Sequence, residues 1–199
     1  MTDGVVNTTR RRFLTAATSV VGAAGAVGVA VPFVGSWNPS AKAKAAGAPV
    51  KFDISKLEPG EMKVVEWRGK PVYVVRRTQQ TLDALKALNG SLKDPDSEIS
   101  GQPAYIKGID RSINPEYLVL VGLCTHLGCA PLYRPDVGSL VTSDGSKWEG
   151  GFFCPCHGSM YDLSGRVYKG VPAPSNLEVP PYSYEGDNVL VIGVDQETA

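Results

Sequence analysis

The sequence is poor in cysteine and histidine, with four and two of these residues among 199. So few cysteines exclude a small disulfide-dense fold, which depends on several bridges. A surplus of charge is also missing, because twenty basic side chains are balanced by twenty acidic ones. This balance excludes a general nucleic-acid binder, which needs an excess of basic residues to displace counterions. All six cysteines and histidines fall between Cys124 and His157, so site chemistry is expected in that part of the chain.

Charged side chains are absent from residues 13–41. As a helix, the apolar residues 13–34 would be about 33 Å long at roughly 1.5 Å per residue. That length matches the roughly 30 Å hydrocarbon core of a bilayer and exceeds the apolar region of a signal peptide, about 7–15 residues. We therefore expect a transmembrane anchor over residues 13–36. Residues 41–45 loosely resemble small-residue cleavage sites, but the length of the apolar run favours an anchor that is retained.

A basic cluster comes directly before the apolar run, where residues 9–14 read TRRRFL. This resembles the twin-arginine export signal, Ser/Thr-Arg-Arg-x-Phe-Leu, which directs export of proteins already folded around a cofactor. The alternative is a short basic cluster that obeys the positive-inside rule. In both cases residues 1–12 form a cytoplasmic tail and the bulk of the chain lies outside.

The rest of the chain reads as a hinge followed by a mainly β domain. Residues 37–50 have no apolar face to bury, which predicts a flexible hinge whose Ala/Lys portion is transiently helical. Residues 62–67 and 72–76 are rich in β-branched residues and predict a hairpin, and the continuous apolar run 117–122 predicts a buried strand. Residues 182–185 and 189–194 enclose a turn at 186–188 and predict a closing hairpin. A stripe of leucines predicts one helix over 78–89, ended by Gly90, and residues 94–103 read as a polar loop.

The cysteines and histidines form two boxes, CTHLGC at 124–129 and CPCHGS at 154–159. A structural zinc site would use two Cys and two His, but the spacings differ from the usual zinc pairs and two cysteines would be left over. Two disulfides would leave both histidines without a role. A [2Fe–2S] centre in which two His replace two Cys is the third possibility.

The pair of boxes, C-x-H-x-G-C and C-x-C-H-G-S, closely resembles the Rieske iron–sulfur family. The resemblance implies four ligands to one [2Fe–2S] cluster: Cys124, His126, Cys154 and His157. It also implies a disulfide between Cys129 and Cys156 that ties the two ligand loops together. Such a bridge needs an oxidising compartment, in agreement with export.

Further residues match positions that surround the cluster in the high-potential branch of this family. Ser159 and Tyr161 match hydroxyls that donate hydrogen bonds to cluster and ligand sulfur, which raises the reduction potential. Leu127 matches an apolar residue at the domain tip. Pro172 and Pro174 match a proline-rich loop that covers the cluster.

Most of the chain resembles the iron–sulfur subunits of bacterial cytochrome bc1 complexes. The implied fold is a Rieske-type antiparallel β domain over residues 51–199, with a cluster-binding subdomain at about 122–178 and the N-terminal anchor. The implied activity is that of a quinol–cytochrome c reductase subunit in a dimeric complex of the bacterial inner membrane, with the Rieske domain in the periplasm. One electron would pass from ubiquinol to cytochrome c1, with cytochrome b as the other partner and His157 as quinol contact and proton acceptor.

Two alternatives remain open at this point. One is the Rieske subunit of another periplasmic oxidase, such as arsenite oxidase. The other is a zinc-stabilised, membrane-tethered binding module without a redox role.

Overall fold

The N-terminal part of the chain is one long helix. The computed structural model describes residues 7–196, so half of the predicted tail at 1–12 lies outside the described residues. Helix α1 spans Thr8–Ser36, and the Asn7 side chain caps it by accepting a hydrogen bond from Arg10 N. By length and composition this helix is apolar enough to cross a membrane, which confirms the helix expected from the uncharged run.

A second, short helix forms inside the predicted hinge. Helix α2 spans Ala41–Ala46, and the Ser40 hydroxyl accepts a hydrogen bond from Ala43 N at its start. All residues of α2 are described, and none of them is buried. The alanine and lysine side chains favour a helix here, although no packing supports it.

The remaining unit, residues 46–199, is built from antiparallel strands. Within the described residues the strands are β1 Val50–Asp53, β2 Met62–Trp67, β3 Lys70–Arg76, β4 Tyr117–Val121, β5 Leu132–Arg134, β6 Gly151–Cys154, β7 Ser159–Tyr161, β8 Tyr182–Glu185 and β9 Val189–Ile192. They form three sheets of three strands, in the orders β1-β9-β8, β2-β3-β4 and β5-β6-β7. The predicted mainly β fold is confirmed, whereas β1, β5, β6 and β7 were not predicted.

The hairpin of β2 and β3 shows why the predicted strands form. Trp67 pairs with Lys70, so Arg68 and Gly69 alone make the turn, both with positive φ (53° and 70°). Two successive left-handed residues match the twist of a two-residue hairpin.

Strand β3 lies in the centre of its sheet and pairs with β4, and the two strands contribute consecutive buried aliphatic side chains to the core. Burial on both faces explains why these strands read as continuous apolar runs.

The predicted helix over 78–89 is present only in its first half. Helix α3 spans Gln79–Ala84 and is followed by a 3₁₀ helix, Leu85–Ser91. The guanidinium of Arg166 donates to the Leu85 carbonyl oxygen at 2.7 Å and to Asn89 Oδ1 at 2.9 Å. The Leu85 carbonyl therefore bonds to a side chain distant in sequence, and the chain continues as a tighter 3₁₀ turn.

A buried ion pair holds the turn that follows β7. Arg166 Nε donates to Asp162 Oδ2 at 2.7 Å, and both side chains are fully buried. The second oxygen of Asp162 accepts from the backbone N–H groups of Ser164 and Arg166. Both oxygens of this carboxylate therefore accept hydrogen bonds, as a buried charge requires.

Two more buried arginines bind the same turn. Arg77 donates to Ser164 Oγ at 2.7 Å, and Arg111 donates to the Ser164 carbonyl oxygen at 3.0 Å. Burial lowers the pKa of each guanidinium to about 10, so both remain protonated at neutral pH. Residues distant in sequence thus fix the position of β7 and of the side chains that it carries.

We predict that Arg166→Met destabilises the full-length chain by about 3–5 kcal/mol, because it leaves the buried Asp162 carboxylate without its cation. Lys51→Met is the matched control, since Lys51 pairs with Glu185 on the exposed surface and should contribute about 0–1 kcal/mol. Urea unfolding of the detergent-solubilised protein measures both. If both variants lost the same free energy of unfolding, the stabilising role of the buried Arg166–Asp162 pair would be contradicted.

Candidate metal centre

Two loops of similar geometry carry the cysteines and histidines. The first links β4 to β5, and the second links β6 to β7. In each loop a glycine N–H closes a turn onto the carbonyl of the first cysteine: Gly128 onto Cys124 at 2.8 Å and Gly158 onto Cys154 at 3.0 Å. Both glycines have positive φ, a conformation that other residues adopt at a cost. The glycine in each box therefore lets the chain turn sharply around its ligand candidates.

A disulfide between Cys129 and Cys156 joins the two loops. The bonded residues are 27 positions apart in sequence. This confirms the pairing that the family resemblance implied.

The structure brings the four candidate ligands together in two like pairs. Cys124 and Cys154 are free thiols, both are buried, and each influences the pKa of the other. The rings of His126 and His157 meet edge to face with centroids 4.8 Å apart. His126 is half-buried and His157 is exposed. The thiol pair thus lies inside the domain and the imidazole pair lies towards the surface.

The sulfur atoms of Cys129, Cys154 and Cys156 also lie within 4.8 Å of one another. Two of these sulfurs form the disulfide, however, and a metal ligand must be a thiolate. The donors that remain are two thiols and two imidazoles, which is the donor set of a Rieske [2Fe–2S] centre. The residues present therefore fit that cluster.

The two thiols differ in their surroundings. Burial opposes ionisation of Cys124, but hydrogen bonds from Tyr161 and its other neighbours outweigh it and lower the pKa of this thiol. Burial raises the pKa of Cys154. Tyr161 Oη lies 3.2 Å from Cys124 Sγ. Burial also raises the pKa of Tyr161, so its hydroxyl keeps its proton.

Ser159 is the second hydroxyl at the sulfur atoms. It is fully buried and contributes to the lowered pKa of Cys124. Its Oγ accepts a hydrogen bond from Ala173 N at 3.1 Å. With a lone pair occupied by this amide, the hydroxyl proton of Ser159 is available to the sulfur.

Residues 170–177, here called the proline loop, pack beside this hydroxyl. Ala173 is fully buried, whereas Pro172 and Pro174 are exposed. The side of the loop that faces the site is therefore the backbone of Ala173 rather than the proline rings. Leu127, at the tip of the first ligand loop, has 72% of its surface exposed.

Thr125 is a residue of the site that the sequence pattern did not predict. Its N–H donates to Tyr161 Oη at 3.2 Å, and its hydroxyl donates to the Ser175 carbonyl oxygen at 2.7 Å. Thr125 therefore connects the first ligand loop to Tyr161 and to the proline loop. Its position beside Cys124 was the signal in the sequence that could have pointed to it.

Comparisons with known proteins identify the family of this chain. Residues 96–182 match the family model for the Rieske [2Fe-2S] domain, and residues 1–40 match that for the "Ubiquitinol-cytochrome C reductase Fe-S subunit TAT signal". The ubiquinol-cytochrome c reductase iron-sulfur subunit of Allochromatium vinosum is 58% identical over 98% of this chain and 93% of its own length. The chain belongs to the family of ubiquinol–cytochrome c reductase iron–sulfur subunits.

Other relatives carry the same family name. The ubiquinol-cytochrome c reductase iron-sulfur subunit of Bradyrhizobium diazoefficiens is 43% identical over 93% of this chain and 94% of its own length. Among solved structures, a chain of a hyperthermophilic respiratory complex III is similar with a TM-score of 0.48 and 29% identity. That match covers 88% of this chain and 98% of the other. Members of this family are oxidoreductase subunits with a Rieske [2Fe–2S] domain.

We predict that replacing Cys129 and Cys156 together by alanine destabilises the domain by about 3–4 kcal/mol, because the unfolded chain regains the entropy of a closed loop. Urea unfolding without reductant measures the loss. Reductant added to the unmodified protein before unfolding should lower its stability to that of the double variant. Addition of reductant to the double variant is the control and should change nothing.

Proposed function

We propose that this chain is the iron–sulfur subunit of a bacterial cytochrome bc1 complex, and that it takes one electron from ubiquinol and delivers it to cytochrome c1. The observation that carries the proposal is the pairing of two buried thiols with two imidazoles, the outer of which, His157, is exposed. The membership of the family supports it.

In this proposal the thiol pair, Cys124 and Cys154, holds one iron, and the imidazole pair, His126 and His157, holds the other. The bound cluster supplies a one-electron acceptor whose potential is raised because neutral imidazoles replace two thiolates. The protein adds an inner side from which water is excluded and an outer side that a quinol can reach. At that outer side, His157 would contact the quinol. With one ring nitrogen on the metal, the ring could accept the quinol hydroxyl proton at its other nitrogen only after that nitrogen has released its own proton, which a bound metal charge favours.

The apolar side chain of Leu127 supports contact with an apolar pocket. It is the residue after His126, and most of its surface is exposed. Because Leu127 follows His126 directly, a partner docked over the imidazoles would cover this side chain. We propose that this partner is cytochrome b, next to bound ubiquinol.

The N-terminal segment supports the location of the domain. We propose that residues 13–36 cross the bacterial inner membrane once, with residues 1–12 in the cytoplasm and residues 51–199 in the periplasm. Residues 37–50 would tether the domain while it moves between cytochrome b and cytochrome c1 in a dimeric complex. The basic residues at 10–12, just before the uncharged run, favour this orientation.

A complementation assay tests the proposed function. The full chain is expressed in a bacterium that lacks its own iron–sulfur subunit, and quinol-dependent reduction of cytochrome c is measured in membranes. We expect activity together with a reduced [2Fe–2S] signal in electron paramagnetic resonance. Cys154→Ser should abolish both, whereas Tyr105→Phe, a control that removes a hydroxyl bonded to Tyr182, should retain both.

Two results would contradict the proposal in different ways. A cluster signal without quinol oxidation, but with oxidation of a substrate such as arsenite, would favour another periplasmic oxidase. Zinc instead of iron in the purified protein would favour a binding module without a redox role.

We predict that Ser159→Ala and Tyr161→Phe each lower the reduction potential of the cluster. Each variant removes a hydroxyl that stabilises the extra negative charge on sulfur after reduction. A loss of roughly 1 kcal/mol per hydroxyl corresponds to about 40 mV for one electron. Redox titration followed by electron paramagnetic resonance measures the shift, with Tyr105→Phe as the control; unchanged potentials would contradict the role of these hydroxyls.

A further inference from the structure

The side chain of Lys93 reaches across to the proline loop. Its ammonium donates to the Val171 carbonyl oxygen and to the Ala173 carbonyl oxygen, each at 2.7 Å. Lys93 lies 78 and 80 positions before these two residues. The contact is therefore set by the tertiary structure, and the local sequence around Lys93 does not predict it.

Two residues of the proline loop cannot donate a backbone hydrogen bond. Pro172 and Pro174 lack an N–H, so two potential backbone donors are missing from the segment that contacts Lys93. A protonated lysine forms stronger hydrogen bonds than a neutral donor. One ammonium that holds the carbonyls on both sides of Pro172 can therefore fix this part of the loop.

The loop is fixed separately at its C-terminal end. Asn176 Nδ2 donates to the Asp94 carbonyl oxygen at 2.8 Å and to Ser97 Oγ at 2.9 Å. The backbone N–H of Lys93 donates to the Val167 carbonyl oxygen at 3.0 Å. The main chain around Lys93 is thus held by bonds that do not involve the side chain. Removing the ammonium therefore tests only its contact with the proline loop.

The contact with Lys93 leads to the candidate cluster ligand through three groups. The ammonium holds the carbonyl of Ala173, and the N–H of the same residue donates to Ser159 Oγ. Ser159 in turn pairs with the candidate ligand Cys154 in the β6–β7 ladder, and its hydroxyl is close enough to the Cys124 thiol to lower the pKa of that thiol. A displacement of the loop would therefore free the Ser159 hydroxyl to rotate away from the sulfur.

We propose that Lys93 is a positioning residue for the cluster: it fixes the proline loop so that Ala173 N–H keeps the Ser159 hydroxyl directed at the Cys124 sulfur. This inference rests on the proposed function, because it takes Cys124 as a ligand of the [2Fe–2S] cluster. Lys93 itself touches neither the cluster ligands nor the quinol.

Lys93→Met in the full-length protein tests the proposal with two measurements. Hydrogen exchange followed by mass spectrometry reports on the amides of residues 171–177, which should exchange roughly tenfold faster, since hydrogen bonds to a charged donor are lost. Redox titration reports on the cluster. The equilibrium constant for its reduction should fall roughly threefold, which is about 30 mV for one electron.

Two further variants separate the effect of holding the proline loop from the effect of removing a positive charge. Lys169→Met removes a lysine just before the same loop, whose ammonium donates to the Gly90 carbonyl oxygen rather than to the loop; it should leave both measurements near the unmodified values. Lys93→Arg keeps the charge and the donors and should restore most of the protection and of the potential.

The proposal is overturned if residues 171–177 exchange at the unmodified rate in Lys93→Met. It is also overturned if exchange rises while the potential stays constant, or if Lys169→Met lowers the potential equally. A protein that binds no cluster would contradict the proposed function instead, and the exchange measurement would still show whether Lys93 holds the loop.

Discussion

The site depends on keeping two chain segments together that are about thirty residues apart. Each ligand loop contributes one thiol and one imidazole, so neither loop can form the site alone. The disulfide between Cys129 and Cys156 joins the loops covalently, beside the ligands. Because the bond lies between the loops rather than within one, it fixes their separation while the glycine turns fix the shape of each.

Buried charged side chains form part of the framework that carries the ligand loops. Three arginines, Arg77, Arg111 and Arg166, converge on the turn 162–165 that follows Tyr161. Their guanidinium groups bond mainly to backbone carbonyls, and the carboxylate of Asp162 pairs with one of them. Such a network requires good geometry at every member, because a buried charge without a partner is costly. The position of Tyr161 beside Cys124 is accordingly set by residues from several elements.

The division of the site into an inner and an outer side links the structure to the proposed function. The thiols are buried among hydroxyl donors, which favour additional negative charge on sulfur. The imidazoles lie outward, next to the exposed Leu127. An electron acceptor with one protected side and one accessible side can exchange electrons and protons with a docked partner while its sulfur atoms stay out of water.

The sequence by itself predicted the six candidate site residues, and it determined the apolar helix and the strands of the two main hairpins. These features are recognisable because their determinants are local: each box spans six residues, and strand and helix periodicities repeat over a few positions. The short strands β5, β6 and β7 have three or four residues each and show too little periodicity to be recognised. The tertiary structure alone decided the contact of Lys93 with the proline loop and the change from α to 3₁₀ helix at Leu85. Both depend on side chains about eighty residues away, Lys93 on the loop and Arg166 on the Leu85 carbonyl, and a local pattern carries no information about contacts over that separation.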